Sequence, residues 1–357
     1  MGSSFGKIFK LTTWGESHGP ALGVVIEGCP AGLPLTTADI QKELDRRRVG
    51  QSKVTTPRGE RDQATILSGV YEEITTGAPI SIITYNADAD SSKYDNLREV
   101  FRPGHADYTY WAKYGHRDHR GGGRSSARET WGRVAAGAIA KKILATAGVE
   151  VWGFTKSIGD IEGQTVDRCA VEQNIVRAAD PVAAEKMIEA ILQAKEEKNS
   201  LGGIIEARAT GLPVGWGEPT FDKVEAVIGQ AMLSIPATKG VEIGMGFGIT
   251  RLRGSESNDA FTMIDGKPRT KSNNAGGLLG GLTTGEELIV RVAVKPTSSI
   301  EREQDTIGTD GKDHKITVYG RHDPSVAPRA VPVIEAMLAN TLADLMLQHR
   351  SARISWP

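Results

Sequence analysis

Two histidines stand in glycine-flanked turns, the kind of setting that can hold a proton donor against a ligand. His18 lies in GESHG (15–19) beside Glu16 and Ser17, after a segment, 7–13, that reads as a strand. His105 lies in RPGHAD (102–107), where Pro103-Gly104 makes a turn that presents it next to Arg102. An imidazole titrates near neutral pH, so each could act as a general acid or steady an anionic intermediate. GESHG is not the nucleophile elbow of hydrolases, because Ser17 is off-centre and no strand–turn–helix pattern surrounds it. A third segment, GGGRSSARET (121–130), joins three glycines to Arg124, Ser125 and Ser126. Ser126 and Glu129 have capping-box spacing, which predicts a helix start whose unpaired N–H groups and positive dipole end suit an anion. Arg124 at such a terminus opposes the dipole unless an anion sits between them.

Basic residues gather around these turns in two runs. Residues 46–61 hold Arg46, Arg47, Arg48, Lys53, Arg58 and Arg61 against Glu60 alone. Residues 102–133 hold seven Arg or Lys together with His105, His116 and His119. Arginine offers a two-pronged fork to phosphate or carboxylate, and glycine lets backbone N–H groups come close. The two runs are therefore expected to hold a small molecule carrying several negative charges. Two further loops suit a cofactor. SNNAGGLLGG (272–281) is uncharged and could lie flat against a planar ring, and KPTSS (295–299) offers a lysine, hydroxyls and free N–H groups to a phosphate. RHDPS (321–325) adds another Arg-His pair before the last helix.

The elements that must position these turns are legible from periodicity. Strands are expected over 22–28, 64–70, 78–84 and 289–295, where β-branched residues are bounded by turn residues. GVEIGMGFG (240–248) alternates, with Val241, Ile243, Met245 and Phe247 on one face and glycines filling most of the other. Helices are expected over 37–48, with Gly50 past its end, and over 126–147, with a small-residue face at Ala135, Gly137 and Ala138. Others start at Asp180-Pro181 and near Asp222, and the last runs over 326–348. Strands fall in pairs between helices without strict alternation, which predicts the α+β class with antiparallel sheets. There is no repeat and no low-complexity linker, so 1–357 is read as one domain.

Composition excludes several classes. Formal net charge is −1, with 39% hydrophobic and 24% charged residues, ordinary for a water-soluble globule. Glycine is the outlier at 42 residues. Cys29 and Cys169 share no disulfide or zinc spacing and read as two buried free thiols of a reducing compartment; no metal is expected. MGSSFGKIFK lacks the apolar core of a secretory signal, and no apolar run is long enough to span a bilayer, so a cytoplasmic protein with no membrane association is expected. Arginine–glycine segments such as HRGGGR invite comparison with nucleic-acid binders. Balanced charge and only 6% aromatic residues argue against that class, and no nucleic-acid partner is expected.

Taken together, GESHG, DRRR (45–48), RPGHADYTY, RGGGRSSARET (120–130), SIPATKGVEIG (234–244), KPTSSI and GRHDPS resemble chorismate synthase. The match runs from about residue 6 to residue 346. The resemblance implies a single-domain β-α-β sandwich, with antiparallel sheets packed around a helical core. It implies an enzyme, a lyase that converts 5-enolpyruvylshikimate 3-phosphate into chorismate by 1,4-trans elimination of phosphate. Reduced FMN would be required, with no net redox change. It also implies a homotetramer, and an external source of reduced flavin because the insertions of self-reducing fungal members are absent.

Residue by residue, the resemblance gives His18 the protonation of the departing phosphate and places His105 by the anionic form of the reduced flavin. It makes Asp344 a proton relay and puts the Ser17 and Ser126 hydroxyls near flavin and substrate. Arg47, Arg48, Arg102, Arg128 and Arg329 would meet substrate anions. FMN would contact Arg124, Ser125, Ser126, Ala237, Gly280, Lys295, Pro296, Thr297, Ser298, Ser299 and Arg321. Lys53 stands where many members carry arginine, which turns a forked contact into a point charge, so NADPH binding is not inferred. A flavin oxidoreductase built on the same pocket is the rival enzyme reading, separable by whether flavin is consumed.

Overall fold

The protein is described by a computed structural model over residues 2–52, 54, 62–86, 97–320 and 322–354. Arg321, Lys53, Arg58 and Arg61, all named above, lie outside the described residues.

The first part of the chain builds an antiparallel sheet. β1 (Ser4–Phe5), β2 (Lys10–Gly15) and β3 (Ala21–Glu27) are followed by α1 (Thr37–Arg47), β4 (Thr65–Ile66), the small hairpin β5 (Val70–Tyr71) and β6 (Ile74–Thr75), and β7 (Ile80–Tyr85). The sheet order is β1-β2-β3-β7-β4. β3 is buried on both faces along most of its length, as its run Leu22, Val24, Val25 and Ile26 requires. Val24 lies opposite Thr13 on one side and Ile82 on the other.

After α2 (Asp107–Tyr114) and α3 (Thr130–Ala145) come β8 (Glu150–Ile158), β9 (Ile161–Glu162), α4 (Pro181–Glu196), β10 (Gly203–Thr210), β11 (Val214–Gly217), α5 (Val224–Leu233) and β12 (Thr238–Ile243). Then follow α6 (Gly254–Ser257), the hairpin β13 (Phe261–Ile264) and β14 (Lys267–Thr270), β15 (Leu278–Leu279), β16 (Leu282–Thr284) and β17 (Leu288–Val294). The hairpin β18 (Glu303–Ile307) and β19 (Asp313–Thr317) precedes α7 (Ala327–His349). Among the described residues the second large sheet, also antiparallel, has the order β12-β17-β10-β8-β9.

The layering follows from which faces are apolar. α3 packs on β2 and β3, α7 packs on β8 and β10, and the two helices pack on each other. The result is sheet, helices, sheet, the α+β sandwich around a helical core that the sequence predicts. Nineteen residues of α7 are buried, and it is long and apolar enough to cross a membrane only because it is the centre of the core. α3 and α7 approach closely at Gly137, where a Cβ would come within 2.6 Å of Ala336 Cα. One buried polar cluster ties this core together. Glu335 on α7 accepts from Arg46 of α1, from Lys141 of α3 and from the Gly153 N–H of β8. These cations hold its carboxyl down at about 2 despite complete burial.

Several local expectations change. The strand expected over 7–13 begins only at Lys10, because the N–H groups of Lys7, Ile8 and Phe9 turn to the Asp344 carboxylate. The strand expected over 64–70 is cut to Thr65–Ile66, since Gly69 at φ +79° turns the chain into the next hairpin. The alternation read through 240–248 stops at Ile243. Gly244, at φ +58°, packs against the backbone of Asn274 and Gly276, and 246–251 forms a 3-10 turn that leaves Phe247 exposed. The capping box at Ser126 does not form. Ser126 caps a short 3-10 turn through the Arg128 N–H, Glu129 reaches forward to Arg133, and α3 proper starts at Thr130. Asp222 pairs with Lys7 instead of capping α5. Asp180 does cap α4, accepting from Val182 and Ala183. Cys29 is buried, and burial pushes its thiol up to about 11; Cys169 is exposed, against the expectation of two buried thiols.

Candidate active site

The two histidines converge on adjacent glycines. Residues 15–19 form a tight turn off the end of β2, closed by the Gly19 N–H donating to the Glu16 carbonyl. It sets the His18 ring directly against Gly121, and a Cβ on that glycine would overlap the ring and sit 3.0 Å from Ser17 Oγ. His105, from the turn before α2, reaches Gly122, where a Cβ would lie 2.8 Å from its Cε1 and 3.3 Å from its Nε2. Gly121, Gly122 and Gly123 all have positive φ (+65°, +98° and +52°), a path that only glycine follows without strain. Glycine is thus required here twice, for the backbone path and for the space the rings take. A cavity of about 600 Å³ opens beside this loop, lined by Glu16, Tyr110, His116, Arg117, Gly122 and Arg124 among others.

His105 has a defined electrostatic setting. Its Nδ1 is 3.0 Å from Asp107 Oδ1, and the buried Asp107 also accepts from Arg102 Nε and Nη2 and from the Arg102 N–H. Burial opposes the Asp107 charge, but Arg102 and His105 overcome it and hold the carboxyl far below the usual range. Nδ1 also lies 3.1 Å from Arg102 Nη2, so the Arg102–Asp107 pair grips that edge of the ring and leaves Cε1 and Nε2 facing the glycine loop. Burial is the largest influence on His105 itself and pushes its pKa down. The Asp107 hydrogen bond works upward, and Arg102 and Lys295 add to the downward push. Asp107 is the carboxylate hydrogen-bonded to His105 among the described residues, and negative charge arriving on the Nε2 side would favour its charged form. Ser17 Oγ lies 3.2 Å from His18 Nδ1, and this contact orients the ring.

Three of the five arginines expected to meet substrate form one chain. Arg329 pairs with Asp323 and donates to the Arg47 carbonyl; Arg47, which is buried, pairs with Asp62, and Asp62 pairs also with Arg128. Arg128 then donates Nε and Nη2 to Asn86 Oδ1. Arg102 belongs instead to the His105 cluster. Arg48 caps α1 with its backbone N–H, and its side chain is exposed at a separate concavity with Asp45 and Gln63. Asp62, Asn86, Asp107 and Asp323 were not among the residues singled out from sequence. Asp107 and Asp323 stand inside motifs that were, RPGHAD and RHDPS, and an acid next to a histidine was the available signal. Asn86 is a single polar residue after a strand and Asp62 one in a loop before β4, with nothing in their neighbourhood to mark them.

The residues expected at a flavin are partly assembled. Lys295 Nζ donates to the Gly104 carbonyl at 2.8 Å, which brings 295–299 against the His105 turn. Its pKa is pushed down by burial and by the nearby Lys239 cation. Thr297 Oγ1 is buried with no hydrogen-bond partner among the described residues, and Ser299 is buried too. Two mutually repelling lysines beside an unpaired buried hydroxyl fit a phosphate. Ala237 holds φ +70° and its carbonyl accepts from the Lys295 N–H, placing the two segments side by side. Gly280, at φ +62°, faces open space. Arg124, expected to face an anion at a helix start, turns back instead and donates to the Thr13 and Gly15 carbonyls and to Thr13 Oγ1. Ser125 Oγ donates to the Gly122 carbonyl.

Asp344 lies at the opposite end of β2 from His18. It is buried, and its oxygens accept from the N–H groups of Lys7, Ile8 and Phe9 and from Gln348 Nε2. Those donors lie before β2 while His18 lies after it. Six strand residues separate the two ends, or about 20 Å at 3.3 Å per residue.

A sandwich core with two histidines on one glycine loop, near arginines paired with carboxylates, suits acid–base chemistry on an anionic substrate. The family model for chorismate synthase matches residues 9–347. Chorismate synthase of Chloroflexus aggregans is 59% identical over 99% of this chain and 98% of that protein. That of Methanosarcina mazei is 53% identical over 97% of this chain and 96% of that protein. A crystal structure of chorismate synthase superposes with a TM-score of 0.79 at 33% identity, covering 97% of this chain and 94% of the other. The chain belongs to the chorismate synthase family. Its reaction is that of a carbon–oxygen lyase, the 1,4-trans elimination of phosphate from 5-enolpyruvylshikimate 3-phosphate that completes the shikimate pathway, and the family needs flavin.

Proposed function

We propose that the space around Gly121 and Gly122 is where the phosphorylated substrate meets reduced FMN, with His18 giving its proton to the departing phosphate and His105 facing the flavin. The convergence of both rings on neighbouring glycines carries this reading. Reduced flavin, when bound, supplies transient electron density and takes up the C6 proton. The chain's own residues do the rest. His18 is held against the loop at Gly121 with the Ser17 hydroxyl at its Nδ1, placed to give a proton to the departing group. Negative charge on the Nε2 side of His105 would favour its charged form, with the proton taken from solvent, and Asp107 would steady that form. Lys295, Thr297 and Ser299 would hold the flavin phosphate, with Pro296, Ser298, Ala237, Gly280, Ser125 and Ser126 lining the rest of that site. Arg124 shapes it from below by fixing the loop to β2.

Arg47, Arg128 and Arg329 form the anion cradle, and Arg102 acts through His105. Arg48 would approach only a ligand that extends past α1. Asp344, with its oxygens taken by 7–9, is read here as the anchor of β2 and hence of the Ser17-His18 turn, not as a proton relay.

The same reading takes 1–357 as one domain, supported by a main core cluster that spans both large sheets. It takes the protein as cytoplasmic and supplied with reduced flavin by a separate reductase. It also takes it as a homotetramer, supported by Phe247, Phe261, Met263 and Ile264, all exposed on or near the β13–β14 hairpin; a single-chain mass in sedimentation would contradict that. The function is tested by anaerobic incubation with reduced FMN and 5-enolpyruvylshikimate 3-phosphate. Chorismate and phosphate should appear one for one while flavin stays reduced, and flavin oxidised in step with turnover would favour the oxidoreductase.

A further inference from the structure

We infer that Asn86 is a positioning residue that sets His18 and Arg128 in one register, so that proton donor and anion clamp meet the same leaving group. The inference rests on the roles proposed for those two residues. Asn86 directly follows β7, whose last residue, Tyr85, pairs with Ala21 of β3, so it stands on the sheet and not on a free loop. Its backbone N–H donates to the Pro20 carbonyl at 3.1 Å. Its side-chain Nδ2 donates to the Glu16 carbonyl at 3.1 Å and to the Gly19 carbonyl at 2.7 Å. The turn carrying Ser17 and His18 is thus gripped at both ends by one residue. On the other side Oδ1 accepts from Arg128 Nε at 3.1 Å and from Nη2 at 2.9 Å.

Only a short amide satisfies this set. The carbonyls of 16 and 19 demand donors and the guanidinium demands an acceptor, which also fixes which way the amide points. Aspartate keeps the acceptor but loses both donors and faces two carbonyl oxygens with a charge. Arg128 leads directly into Asp62 and Arg47, so Asn86 joins the His18 turn to the whole arginine chain. A displacement of about 1 Å between reacting groups can cost about a hundredfold in rate.

The test is a double-mutant cycle in turnover, using the full-length enzyme with saturating reduced FMN. Wild-type turnover, measured first, decides the parent reading separately. Asn86→Asp is expected to lower kcat about tenfold to a hundredfold with a smaller change in substrate KM and a melting temperature close to wild type. In a His18→Ala background the same substitution should cost no more than about threefold, because its effect passes through His18. Equal fold-losses in both backgrounds would overturn the inference and leave Asn86 a plain structural staple. Should Asn86→Asp not fold, Asn86→Ser, smaller and still able to donate once, serves in the same cycle with the same two outcomes.

Discussion

At the residue scale, what matters is which protonation state each site group holds before a ligand arrives. Burial, Arg102 and Lys295 push His105 below the ordinary histidine range, with Asp107 the opposing influence. Unfolding frees His105 to bind a proton more readily. Its contribution to stability is therefore present above the ordinary histidine pKa and is lost as pH falls through the depressed one. The depressed Asp107 carboxyl has the same sign, its stability present above the ordinary carboxylate range and lost on strong acidification. Asp107→Asn removes the upward influence, so His105 should titrate at still lower pH, followed by its imidazole NMR signals, and turnover should fall. A His105 that titrates higher in this variant would contradict the assigned balance. The histidines were legible in sequence because glycines flank them. Asn86 and Asp62 were not, since a lone Asn after a strand or Asp in a loop is indistinguishable from any turn residue. Asp344 shows the opposite failure. A carboxylate near a helix C-terminus has an unfavourable place on its own helix, and only the fold reveals the three N–H groups from residues 7–9 that compensate it.

At the element scale, the site depends on how closely α3 meets its neighbours. α3 follows directly from the 121–129 loop, so its seat on α7 sets where Gly121 and Gly122 stand. Gly137→Ala is a sharp test because two effects oppose. Alanine gains about 1 kcal/mol over glycine in a helix interior. Here its methyl would meet the Ala336 backbone, Cα 2.6 Å away, and overpacking of this kind costs about 1–3 kcal/mol or more. Net destabilisation is expected in denaturant unfolding, and a variant more stable than wild type would show that the helices can separate without cost. The small-residue face of α3 was readable from Ala135, Gly137 and Ala138. The start of α3 was misplaced because Glu129 has two satisfactory partners, the Ser126 N–H by local rule and Arg133 by side-chain pairing, and the charged pair prevails. The false strand at 245–248 came from alternation alone. The backbone contact of Gly244 with residues 274–276 that ends it is long-range and leaves no trace in local periodicity.

At the scale of the whole molecule, near-neutral charge conceals arginines that are paired with buried carboxylates. Asp62 bridges Arg47 and Arg128, one negative charge between two positive, Asp107 pairs with Arg102, and Asp323 pairs with Arg329, so the cradle is preorganised by its own carboxylates before any anion enters. The two sheets with α3 and α7 between them bring loops from distant parts of the chain, 15–19, 102–107, 121–126 and 295–299, to one place. The central claim is that His18 and His105 serve one reaction from one loop. Single-turnover phosphate release, with saturating reduced FMN under anaerobic conditions, tests it in His18→Ala and His105→Ala. Each variant should be slower by about 10–10³-fold while binding reduced FMN within a few-fold of wild type. Wild-type rates of phosphate release in both variants would contradict the account.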